Sequence, residues 1–475
     1  MNREKEKIMY LSLNDSGITF ETLADFARGT IAIAPAEPTT AYGISIDSRT
    51  AKKGDAFIAL KGDTFDGHHF LEAAKEAGCV FAVVEYIPEG CTLPCILVDN
   101  SREALGRIAR SYKQLFHTIS VAVTGSVGKT TTKQFIYSVL DTKYKTNESK
   151  GNYNNEIGLP LTLFGLTAVH KALLVEMGMN HSGEIAELSR IAEPDISIIT
   201  TVGTAHIENL GSRENIRDAK MEIVCGMKPG GILLLNGDEP LLRDVKTDGI
   251  CKIYVGIENE NCTYHAKNIR IFEDHMLFDI RLHDGEIMND VRINVIGKHN
   301  VYNALIASVC GILLGVPEDK IREGLLSFSP AEMRGSFIEK DGFTVIEDCY
   351  NANPESMQAG LDLLCHTAKM RDLRPVAVLG DMKELGHVSH DAHYELGQKA
   401  VSMGVARLIT CGPEAAAIAE GALAAGMKKE DITVVYDIEN AEAAAENICT
   451  AIQKGDIVLF KASRAVALER MIKLL

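Results

Sequence analysis

The segment SVAVTGSVGKTTTKQFIYSVL holds the residues best suited to chemistry. Gly125, Ser126, Val127, Gly128, Lys129, Thr130 and Thr131 lie between an apolar run and an amphipathic one, which predicts a strand, a loop and a helix in that order. In such a loop the glycines let backbone amides approach phosphate oxygens, and the helix N-terminus adds the positive end of its dipole. Lys129 can reach terminal phosphates and the Thr130 hydroxyl can ligate Mg²⁺. The general formula places another glycine at position 123, where Val123 stands, so the match is to the shorter TGxxGKTT form. A glycine-rich turn with an incidental lysine is the bland alternative. The flanking pattern is the one a phosphate cradle needs, and ATP is the expected ligand.

A cradle of this kind must be held by a parallel sheet. From Ser120 onward the runs SVAVTG, KALLVEMG, DISIITTVG and GGILLLNGD alternate with amphipathic segments, the pattern of buried parallel strands. HNVYNALIASVCGILLG and PEDKIREGLLSF read as helices ahead of SPAEMRGS near residue 330. Upstream, residues 44–99 alternate short apolar runs with polar turns around one helical stretch, HHFLEAAKEAG, a small α/β unit. Downstream, TVIEDCYN, RPVAVLGD, ARLITCG, DITVVYD and DIVLFKAS are strand candidates separated by helical patterns, a doubly wound, Rossmann-like layout. The fold class is α/β, with domains expected at 1–115, 116–329 and 330–475.

Length and composition agree with that division. A chain of 475 residues divides into three domains at about 100 to 200 residues each. With 46% hydrophobic and 24% charged residues, neither disorder nor a fibrous repeat is indicated. A net charge of −16 argues against a phosphate-tracking surface, so nucleic acid is not an expected partner and anions must be held locally. Among eleven scattered cysteines, Cys91 and Cys95 have no second pair to complete a zinc site, and free thiols of a reducing cytosol are the simpler reading. MNREKEKIMYLSLND lacks the apolar stretch of a signal peptide, and no eighteen apolar residues run together. A cytoplasmic protein without membrane insertion is expected, a monomer by default.

The TGSVGKTT form resembles the Mur ligase and folylpolyglutamate synthetase superfamily, and further strings fit it along nearly the whole chain. In order they are SIDSRTAKKGDAFIALKGDTFDGHHF, KGNYNNEIGLP, VEMGMNHSGEIAEL, TTVGTAHIENLGSRENIRDAKMEI, GKHNVYNALIA, DCYNANPESM, LGDMKELG and KASRAVALE. The resemblance implies an N-terminal uridine-nucleotide domain, a central P-loop ATPase domain with a mostly parallel sheet, and a C-terminal Rossmann-like domain that closes over the site. DCYNANPESM and LGDMKELG are most similar to the branch of the family that joins D-alanyl-D-alanine to UDP-N-acetylmuramoyl-tripeptide, with the sibling that adds the third amino acid as the nearest confusion.

By the same resemblance, Glu176 ligates Mg²⁺, His206 serves a second Mg²⁺ or the substrate, and Lys220 is the lysine carbamylated in this superfamily. Asn300, with Asn303 one turn on, would lie beside the adenine, Arg334 would approach the ATP phosphates from a hinge, and Asp348 would hold the ribose hydroxyls. Ser48 and Arg49 suit diphosphate recognition, Asn154 and Asn155 the sugar and peptide, and Lys461, Ser463 and Arg464 the carboxylate of the incoming dipeptide. Each has a plainer reading on its own. Glu176 could be a solvated strand end, His206 a structural histidine, Lys220 a surface helix lysine, and Asn300 an N-cap.

The reaction implied is attack of the tripeptide carboxylate on the ATP γ-phosphate, then attack of the D-alanyl-D-alanine amine on the acyl phosphate. An acyl phosphate hydrolyses in water, which gives a reason for a closing domain. The competing readings are a relative with the same phosphoryl chemistry and another amine, or a P-loop regulatory module that has lost ligase chemistry.

Overall fold

The computed structural model describes residues 11–12, 17–62 and 64–475. The N-terminal stretch read above for an export signal falls mostly outside the described residues, as does Asp63 in the SIDSRT string. Three sheets account for most of the strands, and each is built where the sequence alternates short apolar runs with helices.

In the first sheet the neighbouring strands Gly43–Ser45, Asp55–Ile58, Phe81–Val84 and Cys95–Leu97 run parallel, and antiparallel strands Leu11–Ser12 and Thr30–Ile33 close its edges. The helix Ser101–Lys113 follows, started by Asn100, whose side chain accepts from the amides of Arg102 and Glu103. Its apolar positions Ala104, Leu105, Ile108, Ala109 and Tyr112 recur at helical spacing and are buried. They pack on helices Phe20–Ala27, Gly158–Phe164 and Glu184–Ala192, and the Tyr112 hydroxyl donates to the Leu166 carbonyl at 2.8 Å. One continuous apolar core therefore runs from the first sheet into the second.

The second sheet has nine strands, with Ile119–Thr124 between Ala172–Glu176 and Ile196–Ile199, all parallel. Thr146–Glu148 extends it on one side and Ile232–Asn236 with Cys251–Gly256 on the other. Beyond Tyr264–Ile271 the pairing turns antiparallel through Met276–Arg281 and Ile287–Ile293, an extension the strand pattern of the sequence did not announce. Its last strand exposes alternate residues, so it offers short polar-apolar alternation instead of a solid apolar run. Helices Lys298–Leu313 and Glu318–Ser327 pack against the P-loop helix Lys129–Leu140.

In the third sheet five parallel strands, in the order Phe343–Asp348, Asp456–Lys461, Arg374–Gly380, Arg407–Cys411 and Ile432–Val435, carry an antiparallel edge strand, Ser336–Lys340. Arg374 makes a two-pronged contact with Asp456, whose side chain is fully buried. The apolar cores on the two faces of this sheet are its own, apart from Ile296 and the edge of Ile207. No helix among the described residues is long and apolar enough to cross a membrane.

Helices Ser389–Ser402 and Ala416–Ala424 meet backbone to backbone. A Cβ on Gly421 would fall 1.9 Å from the Tyr394 carbonyl oxygen, and one on Gly397 would fall 2.0 Å from that of Ile418. A side chain at either position must push the helices apart. Gly421→Val is expected to lower stability by about 1–3 kcal/mol or more, read as a drop in melting temperature, and an unchanged melt would show that the helices can separate freely.

Candidate active site

The strand Ile119–Thr124 delivers the chain into the loop 125–128, and the helix Lys129–Leu140 begins with Gly128 as its cap in the left-handed region. Gly125 lies at φ +151°, and a Cβ there would fall 1.9 Å from the Thr200 hydroxyl, so no side chain fits. Thr200 in turn donates to the Val127 carbonyl at 2.5 Å, and the Ser126 amide donates to the Thr201 carbonyl at 2.9 Å. The neighbouring parallel strand thus holds the loop in shape. The Ser126 hydroxyl is buried without a partner and lines the cleft, as a group waiting on a ligand would.

One acidic and one basic group dominate the cradle. Glu176 closes its strand next to the loop, 3% exposed, with one carboxylate oxygen 2.7 Å from the Thr130 hydroxyl and the other accepting from Asn154 at 3.0 Å. Lys129 donates to the Gly125 carbonyl at 2.9 Å. Burial lowers its pKa from the ordinary lysine value and nearby Arg334 adds to this, while Glu176 and Glu384 oppose it. The helix Lys129–Leu140 is tied to Lys298–Leu313 by polar side chains: Thr132 donates to Asn303, Asn303 to Asn300, and Asn300 to the Ile296 carbonyl. Gly297 caps that second helix, so Asn300 lies within its first turn and is not its N-cap.

A cleft of about 880 Å³ runs from this cradle to the third sheet. Its walls include Lys129, Glu176, His206, Asn300, Arg334 and Asp348, which the sequence scatters over more than two hundred positions. Arg334 stacks its guanidinium 4.1 Å from the centre of the Tyr350 ring. Asp348 ends its strand and pairs with the buried Lys461 at 2.6 Å, and Lys461 also donates to the Asn351 carbonyl. Asn155 lines the cleft too, but its side chain accepts from the amides of Ile157 and Gly158, which shapes the start of the helix Gly158–Phe164.

Other candidates lie apart from the cleft lining. Lys220 closes the helix Arg213–Met221 and is only 2% exposed, so it is no surface lysine. Burial, with the charge of Lys129 behind it, puts its pKa well below the ordinary lysine value, and no acidic partner offsets this. Ser463 is buried, accepting from the Lys383 amide and donating to the Ala352 carbonyl, while Arg464 reaches Glu469 on the surface. Arg49 faces solvent and grips Asp47 within its own turn, with Ser48 beside it.

Two carboxylates of the third domain, inconspicuous in the sequence, reach the loop that carries His206. Glu384 of LGDMKELG places a carboxylate oxygen 2.6 Å from His206 Nδ1, and Glu355 of DCYNANPESM accepts from the Thr204 amide at 2.9 Å. Their partners are more than one hundred and fifty residues away in the chain, a pairing that no local pattern signals.

Comparison with known proteins gives a family for the chain. Profiles of one family match residues 40–113 (Mur ligase family, catalytic domain), 123–311 (Mur ligase middle domain) and 333–464 (Mur ligase, glutamate ligase domain). The chain is 38% identical over 461 residues to the UDP-N-acetylmuramoyl-tripeptide--D-alanyl-D-alanine ligase of Bacillus subtilis, covering 96% of this chain and 97% of that one. It superposes on a crystal structure of MurF from Acinetobacter baumannii with a TM-score of 0.86 at 30% identity, over 96% of this chain and 98% of the other. The MurF ligase of Thermotoga maritima, solved in complex with ADP, gives a TM-score of 0.80 at 31% identity, over 91% and 96%.

The burial of Lys220 has a consequence for stability. A lysine whose folded pKa is depressed lets the unfolded chain bind a proton that the folded chain refuses, so its contribution destabilises the fold below the ordinary lysine pKa and fades as pH rises towards about 10.4. In buffer freed of carbon dioxide, Lys220→Met is therefore expected to melt higher than the parent at neutral pH. That gap should narrow as pH is raised, and a gap independent of pH would show that the amine is not held against its charge.

Proposed function

The chain belongs to the Mur ligase family, and we propose how its residues divide the reaction of that family. It joins D-alanyl-D-alanine to UDP-N-acetylmuramoyl-tripeptide, with ATP converted to ADP and phosphate, a step in the synthesis of the peptidoglycan precursor and so of cell-wall growth, shape and division. The observation that carries this reading is one cleft in which a phosphate cradle faces the C-terminal domain of a chain that matches such ligases over nearly its full length.

In this reading Gly125 to Thr131 grip the ATP phosphates and Lys129 offsets charge on the phosphoryl group as the tripeptide carboxylate attacks it. Asn300, Asn303, Arg334 and Asp348 line the way from the cradle to the third sheet and are assigned to the nucleotide. The amine of D-alanyl-D-alanine then attacks the acyl phosphate, loses a proton, and phosphate leaves from the tetrahedral intermediate. Lys461 stands in the cleft wall as a cation for the dipeptide carboxylate, although Asp348 already holds it. Ser463, whose hydroxyl accepts from the Lys383 amide, is assigned beside it, and Arg464 would have to leave Glu469 to take part. Asn154 and Asn155 are assigned to the sugar and peptide, and Ser48 and Arg49 to the diphosphate of the uridine nucleotide.

The Thr130 hydroxyl and Glu176 carboxylate, 2.7 Å apart beside the cradle, are hard oxygen donors of the kind Mg²⁺ takes. Among the described residues no three His, Cys, Asp or Glu side chains gather into a ready metal site. A carbamate on Lys220, formed by its neutral amine with carbon dioxide, and the His206 ring would complete the donor set. When bound, Mg²⁺ neutralises phosphate charge.

We assign residues 1–115 to the uridine-nucleotide substrate, 116–329 to ATP, and 330–475 to closure and the incoming dipeptide. Three sheets with their own helices support that division. A cytoplasmic monomer fits a cleft built within one chain and a reaction fed by ATP.

Supplied with UDP-muramoyl-tripeptides ending in diaminopimelate or lysine, the enzyme should release ADP with D-alanyl-D-alanine and not with diaminopimelate, lysine or glutamate as the amine. Release of ADP with a different amine alone would refute the assignment. Glu176→Gln should lower kcat by about a hundredfold or more with the fold intact. Mass spectrometry of the intact protein in bicarbonate should show Lys220 heavier by one carbon dioxide.

A further inference from the structure

The two domains either side of the cleft are joined differently from the first two. A shared apolar core fastens the first sheet to the second, whereas the C-terminal domain meets the central one through polar groups on residues 203–208, the Arg371–Glu273 ion pair and the smaller apolar contacts of Ile207 and Ile296. That segment is fixed from behind. Arg213 donates to the Val202 carbonyl at 2.6 Å and pairs with Glu239, whose side chain caps the helix Pro240–Arg243.

From the front it is gripped at three points. Glu355, in the first turn of the helix Pro354–Arg371, accepts from both the amide and the hydroxyl of Thr204 and lies so close over Gly203 that a Cβ there would fall 2.6 Å from its carboxyl carbon. The backbone of Glu208 donates to the Glu384 carbonyl at 3.3 Å. The Glu384 carboxylate stands 2.6 Å from His206 Nδ1, in ion-pair range though poorly aligned for a hydrogen bond. His206 and Glu384 are both in the left-handed region, at φ +65° and +67°, a conformation uncommon for non-glycine residues.

The loop that carries Glu384 is itself braced. Lys383 pairs with Asp381 and Glu414, Glu414 accepts from Ser389, and the buried His393 takes the Met382 amide on Nε2 while Nδ1 faces the Ser389 carbonyl. Such bracing on a turn whose Asp381, Met382 and Leu385 are buried presents one exposed side chain, Glu384, in one place.

We propose that Glu355 and Glu384 are positioning residues, a two-carboxylate latch by which the C-terminal domain grips residues 203–208 and orients the His206 ring for the ligase reaction proposed above. A carboxylate on one ring nitrogen sets the direction in which the other nitrogen is offered, and here that carboxylate comes from a different domain. His206 is then correctly aimed only while the C-terminal domain is seated, so closure and the readiness of the site become one event.

The test uses the full-length enzyme with Glu384→Gln, Glu355→Ala, His206→Asn and the pair His206→Asn with Glu384→Gln. Glu384→Gln and Glu355→Ala should each lower kcat about tenfold, within the range seen when the partner of a histidine ligand is removed, while the KM for ATP stays within about twofold. Because Glu384 acts through His206, the pair should be no slower than His206→Asn alone. Amide exchange at residues 203–208 should quicken in Glu355→Ala, and melting temperatures should hold. Wild-type turnover with variants at the parental rate, a pair whose losses multiply, or unchanged exchange would each overturn the latch. Failure of the wild type to release ADP with D-alanyl-D-alanine would instead sink the ligase reading and leave the exchange result to judge the latch alone.

Discussion

A carboxylate and an ammonium must share one pocket without simply cancelling each other, and the rest of this structure follows from how that is arranged. Glu176 is held off Lys129 by its own partners, the Thr130 hydroxyl and the Asn154 amide. Lys129 folds its ammonium back onto the Gly125 carbonyl, across the loop it serves. Each charge is satisfied by a dipole, so each remains able to meet a phosphate or a cation without breaking a strong ion pair first. Burial raises the strength of every such contact and, with the charge of Lys129, also explains why Lys220 is held towards its neutral form.

That arrangement depends on three parallel strands ending side by side. Ile119–Thr124 supplies the loop, Ala172–Glu176 the carboxylate and Ile196–Ile199 the Thr200 hydroxyl that props the loop from the other side. Parallel strands place all their C-terminal ends on one edge of the sheet, so residues far apart in the chain arrive in one crevice. The central sheet is therefore both scaffold and site. The first domain is fused to it by a common apolar core, and this leaves the C-terminal domain, with cores largely its own, as the part attached by polar contacts that can be made and broken.

Much of this was legible in the sequence for physical reasons that act locally. The strand-loop-helix around Lys129 is announced by a period change and by Gly125 and Gly128, both at positive φ where side chains are disfavoured. Buried parallel strands such as Ala172–Glu176 read as unbroken apolar runs, and the helix Lys298–Leu313 reads as a long apolar pattern. Where local pattern and tertiary setting diverge, the reading was poorer. The antiparallel strand Ile287–Ile293 carries polar residues at exposed positions and announces little, and its neighbour Met276–Arg281 buries Asp279, a carboxylate that breaks the apolar run.

Glycine placement, apolar periodicity and the chemistry of a lysine beside a threonine are properties of neighbours in the chain, and so the α/β class, the phosphate cradle and the family likeness were determined by the sequence alone. Whether a charged side chain meets a ligand, a partner or solvent depends on residues that only folding brings near. The tertiary structure alone decided that Lys461 is engaged by Asp348, that Lys220 is buried beside another cation, and that Glu384 reaches His206 from another domain. Electrostatic contacts act over a few ångströms of space, and the separation of two residues along a chain does not set the distance between their charges.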